Sequence, residues 1–241
     1  MGSYTWSKSM GNTDTLTNFL EPKAGGSNNG SVGLIQDFNN PPGERSILGY
    51  DTPQRAVISY VLNLPFGKGQ KYASGVQGVA DKLVSGWAVN GITTFQSGFP
   101  LGISEANGNY LSLHFGAGTI RPNYVAGCKK TLSGSPYSKV IKGQWFNAAC
   151  FTYPGDFAFG NETRNDDAIR AQGTDNFDFS VLKATKLTER FDLQFRAELF
   201  NLFNHPQFNP PGEAINGAFY NQVSAQANQP RLGQLSLRLN F

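Results

Sequence analysis

The residues of this chain best suited to covalent or metal chemistry are two cysteines and two histidines. Cys128 and Cys150 lie in a region rich in Gly, Ser and Lys that is predicted to be a long loop. A disulfide between them would contribute roughly 3 kcal/mol in an oxidising compartment. Two unrelated thiols are the alternative. Neither His114 nor His205 completes a metal-ligand spacing, so the sequence predicts no metal site.

No spacing typical of an enzyme appears along the chain. The histidines have no nearby serine or cysteine with an aspartate, no Gly-x-Ser-x-Gly occurs, and Gly67-Lys68-Gly69 lacks the spacing of a phosphate loop. Asp156, Glu162, Asp166 and Asp167 could line a calcium site, but they lack calcium-loop spacing, and a solvated acidic loop is the favoured interpretation. We therefore expect no enzymatic activity and no cofactor.

Charged side chains recur at alternate positions of one hydrophobic segment, residues 191–199. The apolar members are Phe191, Leu193, Phe195, Ala197 and Leu199, and the polar members are Asp192, Gln194, Arg196 and Glu198. Since a strand directs successive side chains to opposite faces, one face would carry all the charges. An ordinary core does not accept four consecutive polar positions. Arg238 would join Asp192, Arg196 and Glu198 if the last two strands pair antiparallel.

The last seven residues repeat this alternation. Leu235, Leu237, Leu239 and Phe241 alternate with Ser236, Arg238 and Asn240. In a soluble sheet this pattern is typical of a half-buried strand. In an outer-membrane barrel it is typical of a wall strand, with the Leu and Phe side chains toward lipid and the polar ones toward the lumen. The ending alone leaves both interpretations open.

Composition favours one large all-β domain. The chain has 241 residues, only 15% of them charged, with 28 glycines and 13% aromatic residues. The net charge of +3 and the scattered Lys and Arg argue against a nucleic-acid partner. No segment approaches the ~18 to 20 consecutive apolar residues of a membrane-spanning helix. Nor do the first residues read as a secretory signal peptide.

Six segments alternate in the manner of strands and are separated by connections of unequal length. The predicted strands lie near 2–9, 54–64, 86–97, 177–185, 191–199 and 231–241. The long connections 10–52, 98–175 and 204–230 fall on one side, and the short ones near 65–85 and 186–190 fall on the other. This asymmetry is typical of outer-membrane barrels, whose external loops are long. Hydrophobic spacing between 76 and 84 predicts one or two helical turns. A connection as long as 98–175 is rare unless it is functional or carries hidden short strands, and residues 139–146 could form such a strand.

Several motifs together resemble a known family. Asp51-Thr52-Pro53-Gln54-Arg55 leads into a strand that ends Leu64-Pro65-Phe66-Gly67-Lys68-Gly69, and Gly86-Trp87 and the stretch 93–100 follow. Residues 195–208 read FRAELFNLFNHPQF. These residues resemble the C-terminal barrel of TonB-dependent outer-membrane receptors, most closely the Oar-like subgroup with a carboxypeptidase-regulatory-like domain. Phe241 is similar to the closing aromatic of that family.

The resemblance implies an antiparallel transmembrane β-barrel in the bacterial outer membrane. Residues 1–241 would be the C-terminal part of the barrel domain, without plug, TonB box or signal peptide. The family implies roughly 22 strands. The smallest known barrels have about eight, so about six would form an incomplete barrel. The implied partners are outer-membrane lipid, the barrel-assembly machinery that recognises the terminal aromatic, the TonB complex acting through a missing N-terminal region, and an unknown ligand.

The expected function is therefore TonB-dependent uptake of a bulky ligand. The alternative is a soluble or surface-attached β-sandwich that acts as an adhesin or glycan-binding module. That alternative requires Phe191, Phe195 and Leu199 to pack into a core. A passive porin is a third interpretation, which these strands do not separate from the first.

Overall fold

Six long strands follow one another across a single antiparallel sheet. The computed structural model describes residues 1–12, 35–37, 39–105 and 120–241. The strands, in chain order and in sheet order, are β1 (Gly2–Trp6), β2 (Gln54–Asn63), β3 (Trp87–Gln96), β4 (Thr174–Lys186), β5 (Asp192–Phe200) and β6 (Leu232–Asn240). The sheet is open, with β1 and β6 at its edges. The prediction of about six strands is confirmed.

The two faces of this sheet differ in polarity. The apolar face is carried mainly by Tyr4, Trp6, Ala56, Ile58, Tyr60, Leu62, Trp87, Val89, Phe95, Phe177, Phe179, Val181, Leu193, Phe195, Leu199, Leu235, Leu237 and Leu239. The polar face is carried mainly by Arg55, Ser59, Asn90, Asn176, Asp178, Ser180, Gln194, Arg196, Glu198, Gln234, Ser236 and Arg238. Register enforces this division, because Leu193 lies opposite Leu239 and Phe195 opposite Leu237.

Connections of different length leave the two ends of the sheet. The long connections 7–53, 97–173 and 201–231 all leave one end, because each joins neighbouring antiparallel strands. The connections 64–86 and 187–191 leave the other end. The predicted asymmetry is confirmed.

The β-sandwich alternative is not supported by this architecture. It required Phe191 and Leu199 to be buried, whereas they are 41% and 37% exposed. The long strands form one sheet, and β6 is exposed along its whole length, including Leu235 at 75%. A contiguous apolar surface left this open is typical of a surface that meets a membrane or another protein rather than water.

A short helix, α1 (Val79–Val84), occupies the connection between β2 and β3. It fulfils the helical spacing predicted between 76 and 84. Among the residues described, none of the helices combines the length and apolar character needed to cross a membrane.

The buried hydrophobic core of the described residues lies in the long connections, not on the sheet. Its members are Leu101, Ile103, Trp145, Phe146, Cys150, Phe151, Ile169 and Ile215. Short two-stranded ladders surround it: Pro100–Leu101 with Asp166–Arg170, Asn123–Tyr124 with Phe151–Thr152, and Ser104–Glu105 with Ala214–Ile215. We call the packed assembly formed by the described residues of the connections 7–53, 97–173 and 201–231 the cap. Short strands were one of two explanations considered for the length of this connection, 97–173, and they are present.

One prediction for the cap was wrong. The segment 139–146 was suggested as a short strand, but α2 (Pro136–Lys142) covers its first part. The Ser135 side chain accepts a hydrogen bond from the Ser138 amide, proline stands in the first turn, and Gly143 ends the helix with a φ of 64°. These terminal signals outweigh the local alternation of side chains.

Candidate functional site

The four charges predicted to share a face do lie on the polar face. The Arg196 guanidinium pairs with the Glu198 carboxylate at 2.8 Å. In the antiparallel ladder between β5 and β6, Asp192 lies opposite Asn240 and Arg238 lies opposite Gln194. Charge on this face is therefore concentrated along the last two strands.

A concavity of about 300 Å³ with a mixed polar and apolar lining lies at the centre of this face. It is lined by Ser59, Tyr60, Val61, Asn90, Gly91, Ile92, Asp178, Phe179, Ser180, Arg196, Glu198, Leu199 and Phe200. The Ser180 hydroxyl donates to Asn90 Oδ1. Asp178 accepts from the Asn176 side chain and from the Asn201 amide, both at 3.0 Å. Amides, hydroxyls and an ion pair in this arrangement can hydrogen-bond a passing solute.

A disulfide joins Cys128 to Cys150 inside the cap, with a Cα–Cα distance of 5.4 Å. Cys150 is fully buried, and Cys128 packs against the same core. Phe146 meets Phe151 edge to face, with ring centroids 5.6 Å apart. The crosslink therefore lies within the hydrophobic centre of the cap, where it restrains the chain on both sides of α2.

Buried ion pairs hold the first and second long connections together. Arg121 binds Glu44 through two hydrogen bonds of 2.7 and 3.0 Å, and both side chains are buried. Gln36 extends this contact, since it accepts from the Arg121 amide at 2.7 Å and donates to the Gly160 carbonyl at 3.0 Å. Paired and hydrogen-bonded charges can be buried where isolated ones cannot.

A second ionic cluster is centred on Lys130. Its ammonium lies 2.8 Å from Glu162 and 2.5 Å from Asp166, over the ring of Tyr124 at 4.1 Å. Burial alone would lower the pKa of Lys130, but hydrogen bonds and charge from Asp166 and Glu162 outweigh it and raise the pKa. A lysine thus occupies the space between carboxylates that had been considered for calcium.

The other acidic residues of that group are separated from this cluster. Asp167 contacts Arg170, whose hydrogen bond and charge lower the pKa of Asp167 despite partial burial. Asp156 accepts a 2.6 Å hydrogen bond from the Tyr153 hydroxyl. Glu162 and Asp166 therefore share Lys130, whereas Asp167 and Asp156 have other partners. Within the described residues, no group of three or more metal-ligating side chains is assembled.

The third long connection joins the cap through Asn221. Its Oδ1 accepts from the amides of Trp145 and Phe146 at 2.9 and 2.8 Å, and its Nδ2 donates to the Phe146 carbonyl at 2.8 Å. Burial raises the pKa of the neighbouring Tyr220, whose ring packs edge to face on Phe146. The buried side-chain amide of Asn221 thus makes the backbone hydrogen bonds that a neighbouring strand would otherwise make.

His205 and Phe241 lie at opposite ends of the wall. His205 is near Asp175, with 2.9 Å between Nδ1 and Oδ2, and near the ring of Phe203. Its carbonyl accepts from Asn201 and its amide donates to the Asn201 side chain, so it belongs to the turn after β5. Phe241 is 97% exposed beyond the end of β6. His114 lies outside the described residues.

Sequence reasoning did not identify the residues that build the cap. Glu44, Asp51, Arg121, Lys130 and Arg170 are single charges dispersed through Gly- and Asn-rich segments. Each pairs with a residue far away in the chain, so local spacing carries no signal for the contact. A Gly-rich loop that contains a few charges is therefore interpreted as a solvated loop as long as the partners of those charges are unknown.

The sheet has an apolar and a polar face, with long connections at one end and short ones at the other. These features define the wall of an outer-membrane β-barrel. Residues 1–234 match the family model described as Outer membrane beta barrel domain, and the chain belongs to that family. Its location is the bacterial outer membrane. No curated protein and no solved structure matched the chain.

Proposed function

We propose that the chain is the C-terminal barrel part of a TonB-dependent receptor that takes up a bulky ligand. The observation that supports this most is the cap, in which three long external connections pack around one core with a disulfide and buried ion pairs. External loops that fold together offer a shaped surface for capturing a ligand larger than a simple solute. The resemblance of residues 195–208 to such receptors points the same way.

In this proposal the apolar face meets the hydrocarbon and the polar face lines the lumen. Leu235, Leu237 and Leu239 would contact acyl chains, while Asp192, Arg196, Glu198 and Arg238 would face the interior of the completed barrel. In a full receptor that interior is filled by a plug. The Arg196–Glu198 pair would then contact the plug or the passing ligand.

The proposal assigns three partners besides lipid. A plug and a TonB box would belong to sequence preceding this chain, and the TonB complex would supply energy through them. The barrel-assembly machinery would recognise Phe241, whose exposed ring suits that role. The protein would bind and move its ligand without changing any covalent bond of it.

An uptake experiment tests this function. Cells that produce the whole protein are compared with cells that lack it and with cells that produce it but lack TonB, and the compounds removed from a complex medium are identified by mass spectrometry. We expect some compound to be depleted only when both the protein and TonB are present. Depletion that continues without TonB would instead identify a passive channel.

A further inference from the structure

An apolar groove of about 340 Å³ lies on the apolar face, at the end of the short connections. It is lined by Lys82, Leu83, Trp87, Lys183, Thr185, Leu187, Leu193 and Phe195. In an outer-membrane barrel the short connections are periplasmic, so this groove lies at the periplasmic edge of the hydrocarbon. A molecule that binds in this groove must therefore be complementary both to an apolar surface and to the positive charges of two lysines.

Helix α1 forms one side of the groove by folding back against the sheet. The Trp87 indole donates to the Leu83 carbonyl at 2.9 Å, and the Lys82 ammonium donates to the Leu187 carbonyl at 3.3 Å. Val79 and Leu83 remain 76% and 66% exposed. A helix placed beside lipid-facing strands with two outward apolar side chains is suited to the membrane interface.

Lys183 is an unusual residue for this position. In the sheet it lies between Trp87 and Phe195, and only 9% of its surface is exposed. Its ammonium donates to the Ser85 carbonyl at 2.5 Å and to the Thr185 hydroxyl at 3.0 Å. Both partners are neutral. Within the described part of the chain no carboxylate forms an ion pair with Lys183, and Asp81 attracts it only at longer range.

A cation on the lipid-facing side of a barrel is unfavourable unless it reaches the interface or finds an anion. We propose that the groove binds an anionic phospholipid, with an acyl chain along Leu83, Leu193 and Phe195 and the phosphate near Lys183 and Lys82. Charge complementarity carries the assignment, because two cations border an otherwise apolar surface. The site depends on the membrane location of the chain and not on the proposed uptake of a ligand.

Tryptophan quenching by brominated lipids tests the site, because Trp87 lies in the groove. The full chain is reconstituted in phosphatidylcholine vesicles with a minor fraction of acyl-brominated phosphatidylglycerol or the same fraction of acyl-brominated phosphatidylcholine. We expect the brominated anionic lipid to quench more strongly, corresponding to about fivefold local enrichment per lysine. Trp87→Phe should remove the difference, which would assign the excess quenching to the groove.

Variants of two lysines on one strand separate the site from general attraction to a basic protein. Lys183→Gln should reduce the excess enrichment about fivefold, to what Lys82 alone supports, and Lys183→Arg should retain it. Lys186→Gln is the matched control, since Lys186 lies three residues further on the opposite face and is exposed. Equal quenching by the two brominated lipids would overturn the proposal. So would an excess that Lys183→Gln preserves or that Lys186→Gln reduces equally.

Discussion

Asp51 and Arg170, which are 119 residues apart in sequence, form a largely buried ion pair with a distance of 2.8 Å. The same guanidinium donates to the carbonyls of Asp51 and Gly98, at 3.2 and 3.0 Å. Asp51 also accepts from the Ser9 amide at 2.7 Å. One ion pair therefore fastens the first and second long connections together where they leave the sheet.

Asp51→Asn should destabilise the cap by roughly 2 kcal/mol, because Arg170 loses its buried anion and keeps only the more exposed Asp167 carboxylate. Hydrogen exchange at the Ser9 amide and protease resistance of the connections would measure this loss. Asp156→Asn is the control, since that carboxylate is exposed and accepts a hydrogen bond from the Tyr153 hydroxyl. The control should change stability by less than about 0.5 kcal/mol. Equal effects of the two variants would contradict the role of the ion pair.

The strands of the barrel wall can be predicted from the sequence because the signals for them come from residues close together in the chain. Alternation between 191 and 199 and between 235 and 241 fixes which side chains share a face, and the register confirms it. The relative lengths of the connections then orient the sheet. None of these signals depends on contacts between residues that are distant in the chain.

The cap is not predictable in this way, because its contacts join distant segments. Asp51 finds Arg170 and Glu44 finds Arg121 only after the loops have closed. The strand expected at 139–146 failed for a related reason, since capping by Ser135 and Gly143 decides in favour of α2. The groove beside α1 likewise cannot be predicted from the sequence. Lys183 appears there as one more strand residue, and only the folded structure places it beside Lys82 and the apolar side chains.

The Lys130 cluster predicts an alkaline limit to the stability of the cap. The pKa of Lys130 is raised in the folded protein, so its stabilising contribution is complete below the ordinary value of 10.5. This contribution is lost as the pH rises through the higher pKa of the folded state. Chemical unfolding of the cap at increasing alkaline pH would reveal the slope.

Two lysine variants isolate that slope from other groups that titrate in alkali. Lys130→Gln should lower stability by about 3 kcal/mol at neutral pH and flatten the alkaline dependence, because Glu162 and Asp166 lose their buried partner. Lys129→Gln removes a neighbouring exposed lysine and should leave the slope unchanged. A Lys130→Gln protein with the original slope would rule out this source.

Reduction of the disulfide between Cys128 and Cys150 should weaken the cap by roughly 3 kcal/mol. Protease sensitivity of the segment 120–170 should increase, whereas amide exchange in β4 and β5 should change little because the sheet has its own ladder. Alkylation followed by mass measurement checks the bond itself. Modification of the denatured, unreduced protein at either cysteine would contradict it.

Gly86 should resist substitution more strongly than Gly69, although both have a positive φ, 79° and 73°. A Cβ at Gly86 would lie 2.1 Å from the Ala184 carbonyl oxygen, whereas a Cβ at Gly69 would meet no atom within 4 Å. We expect Gly69→Ala to cost about 1 kcal/mol through backbone strain alone, and Gly86→Ala to cost more. Urea unfolding of both variants in the same bilayer gives the comparison. Equal losses would mean that the close approach of β3 to β4 is readily relaxed.

Asn221→Ala should detach the third long connection from the cap. The variant leaves the buried Phe146 amide without its acceptor and leaves the Trp145 amide only the Asn221 carbonyl, at 3.1 Å, and we expect a loss of about 2 kcal/mol. Hydrogen exchange at these two amides is the direct readout. Asn216→Ala is a matched control, because Asn216 has nearly the same φ, 64° against 63°, but is exposed. Since the backbone strain is shared, only the Asn221 variant should accelerate exchange at Trp145 and Phe146. Similar acceleration in both would assign the effect to the backbone and not to the side-chain bonds.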